Sequence, residues 1–251
     1  MTKIYFIGAG PGDPELITLK GKKIIDKADI IIYAGSLVNP QVLGGRKDNS
    51  TLYNSASMTL DEVVKVYSDA KDSNKIIARV HTGDPSIYGA IREQMDRCED
   101  LKIDYEVIPG VSSFTAAASV LKKEFTLPGV SQTVICTRLE GRTAVPEDES
   151  LEKLASHKTS MAIFLSVQMM DDVVKKLLLH YDEATPIAVI QKATWEDEKI
   201  IRGTLADIAQ KVRDEDIRKT AMILIGNFLG NNYELSKLYD EKFSHEYRDA
   251  K

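Results

Sequence analysis

The chain has 251 residues, 43% of them hydrophobic and 28% charged, and its 33 basic and 38 acidic side chains leave a formal charge of −5. That length suits one large α/β domain or two modest ones, and the acidic balance argues against broad nucleic-acid binding while leaving room for a local basic site. The two cysteines, Cys98 and Cys136, make neither a disulfide framework nor a C-x-x-C site; no apolar run approaches a membrane span, and a strand-like start in place of a signal peptide points to a reducing cytoplasm.

Residues 4–7 read as a short buried strand that runs into Gly8-Ala-Gly-Pro-Gly-Asp-Pro14. Ile17, Gly21, Ile24, Ile25 and Ala28 then share one helical face. Residues 28–33 form the next strand, and its three consecutive isoleucines suit a strand covered on both faces of a parallel sheet. The stretch Ala34-Gly-Ser-Leu-Val-Asn-Pro40 is a loop. Thr59 followed by Glu62 predicts a capping box on a helix whose apolar stripe is Leu60, Val63, Val64 and Tyr67.

A strand over 75–80 leads into Thr82-Gly-Asp-Pro-Ser-Ile-Tyr-Gly89, and the spacing of Ile87, Ile91 and Met95 predicts a helix with Pro85 in its first turn. Carboxyl ends of strands in open α/β sheets are where ligands bind. Gly83 lets backbone approach a ligand, and Asp84 can cap a helix or hold a ligand hydroxyl or ammonium. The plainer reading is a capped βα turn. Strand 105–108, Pro109-Gly-Val-Ser-Ser113 and an alanine-rich helix through Leu121 follow. Strand and helix thus alternate four times over the first part of the chain, which predicts a mostly parallel sheet with helices on both faces.

A Pro-Gly pair within 122–131 marks a change of domain, giving an N-terminal α/β domain over 1–118 and a C-terminal one over 119–251. The second begins with strand 133–137 and a polar loop carrying Arg138, Glu140, Gly141 and Arg142. A short helix at 151–154, strand 161–165 and helix 169–179 come next. Strands at 187–191 and 199–202 are joined too tightly for a helical crossover, so they are antiparallel and the second sheet is mixed. Thr204 is the expected N-cap of a helix through Val212. Strand 221–226 and a polar tail with Phe228, Tyr233, Tyr239, Phe243 and Tyr247 close the chain.

Familiar site patterns fail. Gly8-x-Gly10-x-Gly12 lacks the G-x-G-x-x-G spacing of a dinucleotide fold, and strand two ends in Ile32-Tyr33 with no acid for a ribose. His81, His157, His180 and His245 show no metal spacing, so no metal is expected. His81, beside the ligand loop, reads as a hydrogen-bonded structural residue. Ser112 and Ser113 sit at a helix start without a nucleophile elbow. Asp171-Asp172 and Glu196-Asp197 read as solvated acids.

The three loops at 8–14, 82–89 and 109–114 together resemble the tetrapyrrole methylase family, and the likeness extends over essentially the whole chain. The resemblance implies two α/β domains, an S-adenosylmethionine methyl donor in the cleft between them, and a homodimer. It implies donor contacts from Pro11, Thr82, Gly83, Asp84, Ile87, Ser112 and Ser113, with Leu165, Ala193 and, more weakly, Ala221 from the second domain. Relatives often carry methionine at the position of Leu165 and glycine at that of Ala193. Within the family, Tyr33-Ala-Gly-Ser-Leu-Val-Asn-Pro40 and Phe243-Ser-His-Glu-Tyr-Arg248 resemble the branch that methylates a corrin precursor at carbon 11. Other family members act on a different precorrin carbon or on substrates that are not tetrapyrroles, and a non-catalytic donor-binding regulator is the remaining alternative. A polycarboxylate corrinoid partner calls for local basic residues on an acidic chain, and the candidates are Arg79, Arg138, Arg142 and Lys192, with Arg46, Lys47 and Arg92 behind them.

Overall fold

Strand β1 (Lys3–Gly8) pairs in parallel with β4 (Ile76–His81) on one side and β5 (Asp104–Ile108) on the other. In the computed structural model, which describes residues 1–250, two further parallel strands, β2 (Ile30–Tyr33) and β3 (Thr51–Asn54), complete a sheet of order β3-β2-β4-β1-β5. Helices cover both faces, and the period of two along each strand sorts the core. Ile7, Ile31, Ala78 and Val80 pack with Ile25 of α1 (Leu19–Lys27). Ile4, Phe6, Ile30, Ile32 and Ile77 pack with Val63 and Tyr67 of α2 (Leu60–Ala70) and Cys98 of α3 (Arg92–Asp100). The isoleucine run of β2 is therefore divided between two buried faces, as its sequence requires. The Thr59 capping box forms: Thr59 N donates to Glu62 Oε2 at 2.7 Å, and Glu62 N to Thr59 Oγ1 at 3.3 Å.

A second five-stranded sheet has the order β6-β7-β10-β8-β9. Its strands are β6 (Val134–Arg138), β7 (Ser160–Phe164), β8 (Pro186–Gln191), β9 (Lys199–Thr204) and β10 (Ala221–Ile225). Only the β6–β7 pair is parallel, so the sheet is mixed, and β8 and β9 are antiparallel. Its core includes Leu151 of α5 (Leu151–Ala155), Met170, Val173 and Leu177 of α6 (Met170–Leu177), and Ile208 and Val212 of α7 (Ile208–Asp214). The alanine-rich α4 spans Ser113–Leu121.

The chain divides into two compact units, Met1–Ala116 with Lys192–Asp197, and Ala117–Gln191 with Glu198–Lys251. The chain thus leaves the second unit after β8, contributes six residues to the first, and returns before β9. One strand is added to the sequence reading and two local expectations are corrected. Strand β3 carries no buried apolar alternation, being mostly exposed, and so gave no signal. The helix expected to contain Pro85 begins only at Arg92, because Tyr88 (φ 54°) and Ala90 (φ 48°) adopt left-handed conformations that no α-helix admits. Thr204 is the last residue of β9 rather than a cap; its N–H donates to Asp207 Oδ1 at 2.9 Å, and Asp207 is the N-cap residue.

Candidate active site

The neighbouring strands β4, β1 and β5 all end at one edge of the first sheet, and the loops that follow them interlock through backbone. Gly83 N donates to Gly10 O at 2.7 Å, and Gly10 N returns a bond to Gly83 O at 3.3 Å. Gly8, Gly83 and Gly110 meet so closely that a Cβ on Gly110 would stand 2.2 Å from Gly83 O and 2.8 Å from Gly8 Cα. Side chains are excluded there by contact. Gly83 also holds φ 61°, a second reason for glycine.

Asp84 ties two of these loops together. Its Oδ1 accepts from Ser86 N at 2.8 Å and from the Ser86 hydroxyl, and its Oδ2 accepts from Gly110 N at 2.9 Å. Partial burial pushes the Asp84 carboxyl up, but the bonds from the Ser86 hydroxyl, Gly110 N–H and Ser86 N–H outweigh it and hold the group below the usual carboxylate value. Asp84 is thus an ionised carboxylate fixed at the sheet's carboxyl edge. Ser112 is buried and Ser113 opens α4 beside Gly83, whose Cβ position is 3.7 Å from Ser112 Cα and Ser113 N.

The first loop has a partner that the sequence reading missed. Trp195 Nε1 donates to Pro11 O at 2.9 Å, Asp13 N donates to Thr194 Oγ1 at 3.0 Å, and Asn39 Nδ2 donates to Gly12 O at 2.9 Å. A Cβ on Gly12 would fall 2.1 Å from Trp195 Cδ1, so the ring lies directly on that glycine. Ala193 is buried in the same excursion. Pro11, Thr82, Gly83, Asp84, Ser112, Ser113 and the 192–197 segment are therefore all parts of the first unit, and the first six lie in or beside its interlocked loops. Ile87 follows in the turn after Asp84, its N–H donating to Asp84 O at 3.3 Å.

In the second unit, Arg138 pairs in register with Phe164, Ile223 with Ile163, and Ala221 with Gln191. Arg138, Leu165 and Ala221 consequently gather at one edge of that sheet. Leu165 is 70% exposed and holds φ 55°, an unusual state for a branched apolar residue.

These arrangements can be set beside known proteins. The profile of the Tetrapyrrole (Corrin/Porphyrin) Methylases matches residues 3–209. The chain belongs to this family of tetrapyrrole methylases. The cobalt-precorrin-4 C(11)-methyltransferase of Methanocaldococcus jannaschii is 58% identical over 250 residues, covering 99% of this chain and 96% of that protein. The precorrin-4 C(11)-methyltransferase of Pseudomonas aeruginosa is 46% identical over 246 residues, covering 98% of each. An X-ray structure of a cobalt precorrin-4 methyltransferase, described as a cobalamin biosynthetic enzyme, matches with a TM-score of 0.89 at 46% identity, covering 91% of this chain and 96% of that one.

The basic residues of this methylase are disposed differently from one another. Arg142 is exposed and has no ion pair among the described residues. Arg138 is committed to its own loop: Nη1 donates to Thr143 O at 3.1 Å and Nη2 to Ala144 O at 2.7 Å. Lys192 is ion-paired with Asp197 and stands 5.7 Å from the Trp195 ring centroid. Arg79 is 7% exposed and points into the α2–α3 layer, where Nε donates to Gln94 Oε1 at 3.0 Å. This corrects its assignment as a carboxylate clamp, since the odd positions of β4 face that buried helix layer. His81 shares this face and is also corrected. It is 5% exposed, its Nε2 has no hydrogen-bond partner, and burial together with the Arg79 charge lowers its pKa to about 3. Among the described residues no group of three or more His, Cys, Asp or Glu is placed to hold a metal, and no helix is long and apolar enough to cross a membrane.

Proposed function

We propose that this methylase transfers a methyl group from S-adenosylmethionine to carbon 11 of cobalt-precorrin-4 (or precorrin-4), a step of cobalamin synthesis. The observation that carries this reading is the 58% identity to the Methanocaldococcus jannaschii enzyme across 99% of the chain. The chemistry of the first unit's sheet edge supports it. Pro11, Thr82, Gly83, Asp84, Ile87, Ser112 and Ser113 offer backbone groups, hydroxyls and one ionised carboxylate, with no lysine or arginine among them. Such a set fits a nucleoside joined to an amino acid better than a pyrophosphate. Leu165, Ala193 and Ala221 complete the set of donor contacts that we assign.

Bound there, S-adenosylmethionine supplies a methyl group on an already charged sulfonium, so an electron-rich pyrrolic carbon can take it by in-line displacement without an enzyme nucleophile. The protein's part is to position the reactants. The interlocked Gly8, Gly83 and Gly110 backbones give these loops a fixed shape, and Asp84 keeps two of them in register. Arg142, exposed and without an ion pair among the described residues, is our candidate for a carboxylate arm of the substrate, with Arg138 shaping the loop that presents it and Lys192 a further contact.

The deciding experiment is turnover with isotopically labelled methyl donor and either cobalt-precorrin-4 or precorrin-4, read by mass spectrometry and carbon NMR. A single labelled methyl on carbon 11 is expected. Labelling at another carbon would assign a different member of the family's chemistry. On the family resemblance alone we further propose a homodimer acting in the cytoplasm; sedimentation should give about twice the chain mass of 27.9 kDa.

A further inference from the structure

Residues 82–91 are pinned at both ends, and the residue that makes the second pin, Gln94, is not itself among those assigned to the donor. At the first end is the Asp84 carboxylate with Ser86 and Gly110. Between the ends the chain turns so tightly that a Cβ on Gly89 would fall 2.0 Å from Pro85 O. Tyr88 and Ala90 then take left-handed backbone, which costs a non-glycine residue energy and persists only where surroundings enforce it. Helix α3 follows with Ile91 as an N-cap that has no side-chain cap bond. What holds Ala90 is Gln94, whose Nε2 donates to Ala90 O at 3.0 Å.

Gln94 is 5% exposed, and its amide has only one workable orientation. Oε1 accepts from Arg79 Nε at 3.0 Å and from Tyr67 OH at 3.0 Å. An arginine can only donate. Burial pushes the Tyr67 phenol up, against the opposing pull of the Arg79 charge, so it too serves as a neutral donor. With two donors on Oε1, the NH2 group must face the opposite way, toward Ala90. Arg79 has no carboxylate partner among the described residues; its remaining bonds run from Nη1 to Ile32 O at 3.4 Å and Val80 O at 3.5 Å. The buried cation therefore does not serve an ion pair. It orients an amide.

We infer that Gln94 is a positioning residue for the donor-binding loop, transmitting the fixed geometry of Arg79 and Tyr67 through Ala90 to Ile87 and Asp84. This rests on the donor site proposed above. Glutamate is the informative replacement. In Gln94→Glu the new carboxylate would keep both acceptor contacts and give Arg79 an anionic partner, while its second oxygen would face the Ala90 carbonyl and repel it. Core stability and loop placement are then separated in one variant.

The test is calorimetric titration of wild type, Gln94→Glu and Gln94→Met with S-adenosylhomocysteine, with thermal melts and steady-state kinetics alongside. Methionine drops the bonds without placing a new charge in the core, so the inference stays testable if the glutamate variant does not fold. Expected is a weakening of S-adenosylhomocysteine binding by about tenfold in each, a raised donor KM with the corrinoid KM unchanged, and a melting temperature for Gln94→Glu no lower than that for Gln94→Met. Folded variants that bind S-adenosylhomocysteine as tightly as wild type would reduce Gln94 to a core residue and overturn the inference. A wild-type protein that fails to bind would overturn the donor-site reading itself, and is told apart by the wild-type titration.

Discussion

The indole of Trp195 donates its N–H to the carbonyl of Pro11 at 2.9 Å while the ring covers Gly12, so the chain's single tryptophan is fastened to the first glycine loop. This makes a built-in reporter. If the donor is held by that loop, adding S-adenosylhomocysteine should change the intrinsic tryptophan emission in a saturable way, with the same Kd as calorimetry. Trp195→Phe should remove the signal. It should also weaken donor binding by roughly 1 kcal/mol, since one neutral hydrogen bond to the loop is lost. Emission unmoved at saturating ligand would separate Trp195 from the donor site.

The glycine contact at the sheet edge predicts a sharper effect on stability. Gly110→Ala puts a methyl group against the backbone of Gly83 and Gly8, which cannot move without breaking the β4–β1–β5 register. A loss of about 3 kcal/mol or more is expected. For Gly12→Ala the nearest atoms all belong to the Trp195 side chain, which can swing away, so it should cost less and chiefly perturb the tryptophan signal. Urea unfolding of both variants gives the ordering, and the reverse order would contradict the packing described here.

Much of this edge was legible in the sequence because its causes are local. Gly8-Ala-Gly-Pro-Gly-Asp-Pro14 and Thr82-Gly-Asp-Pro85 follow apolar strands, and glycine and proline at a strand end have few uses besides tight turns. The buried isoleucines of β2 and the Thr59–Glu62 box are local for the same reason. What escaped depends on distant partners. Trp195 meets Pro11 across 184 positions, and nothing in a charged stretch such as Glu196-Asp197-Glu198 signals that it belongs with the N-terminal loops. The period of Ile87, Ile91 and Met95 is helical, yet Ala90 is bent away by a bond from Gln94, whose orientation is set by Arg79. Arg79 itself read as a candidate carboxylate clamp because an arginine without a paired acid is rare in a core.

The buried imidazole of His81 gives a pH dependence of stability. Its folded pKa is about 3, against 6.5 for an unperturbed histidine. Between these values the unfolded chain takes up a proton that the folded protein refuses, so the unfolded state binds more protons and stability falls as pH is lowered. The full contribution is present above about pH 6.5, and below it the slope approaches about 1.4 kcal/mol per pH unit. His81→Gln should flatten the stability curve between about pH 5 and 6.5, where few carboxylates titrate. A mutant curve parallel to wild type over that interval would show that His81 is free to protonate in the folded state.

Asp84 should matter twice. Asp84→Ala removes the acceptor of Gly110 N and of Ser86, so the second and third loops lose their common tie. We expect donor affinity to fall by about 1–3 kcal/mol together with a measurable loss of stability. Asp84→Asn keeps the shape and one acceptor oxygen but not the charge. It should recover much of the stability and less of the binding if the carboxylate also meets the donor. Equal recovery of both would leave Asp84 as a fastening alone.

The substrate side rests on two arginines with different work. Arg138 spends its guanidinium on the carbonyls of Thr143 and Ala144, while Arg142 is exposed on the loop so formed and has no ion pair among the described residues. A corrinoid precursor carries carboxylate arms, and a chain of net charge −5 repels them unless a local cation intervenes. Arg142→Ala should therefore raise the corrinoid KM and leave S-adenosylhomocysteine binding unchanged. Arg142→Lys should restore part of the loss, because it keeps the charge without the planar fork. Arg138→Ala should raise the same KM indirectly, and Arg138→Lys should recover little, since an ammonium cannot bridge two carbonyls set for a guanidinium. Salt sorts direct from indirect: a solvated carboxylate–Arg142 contact is screened, so the wild-type corrinoid KM should climb with ionic strength and that of Arg142→Ala should climb less. Identical salt slopes for wild type and Arg142→Ala would remove Arg142 from the substrate contacts.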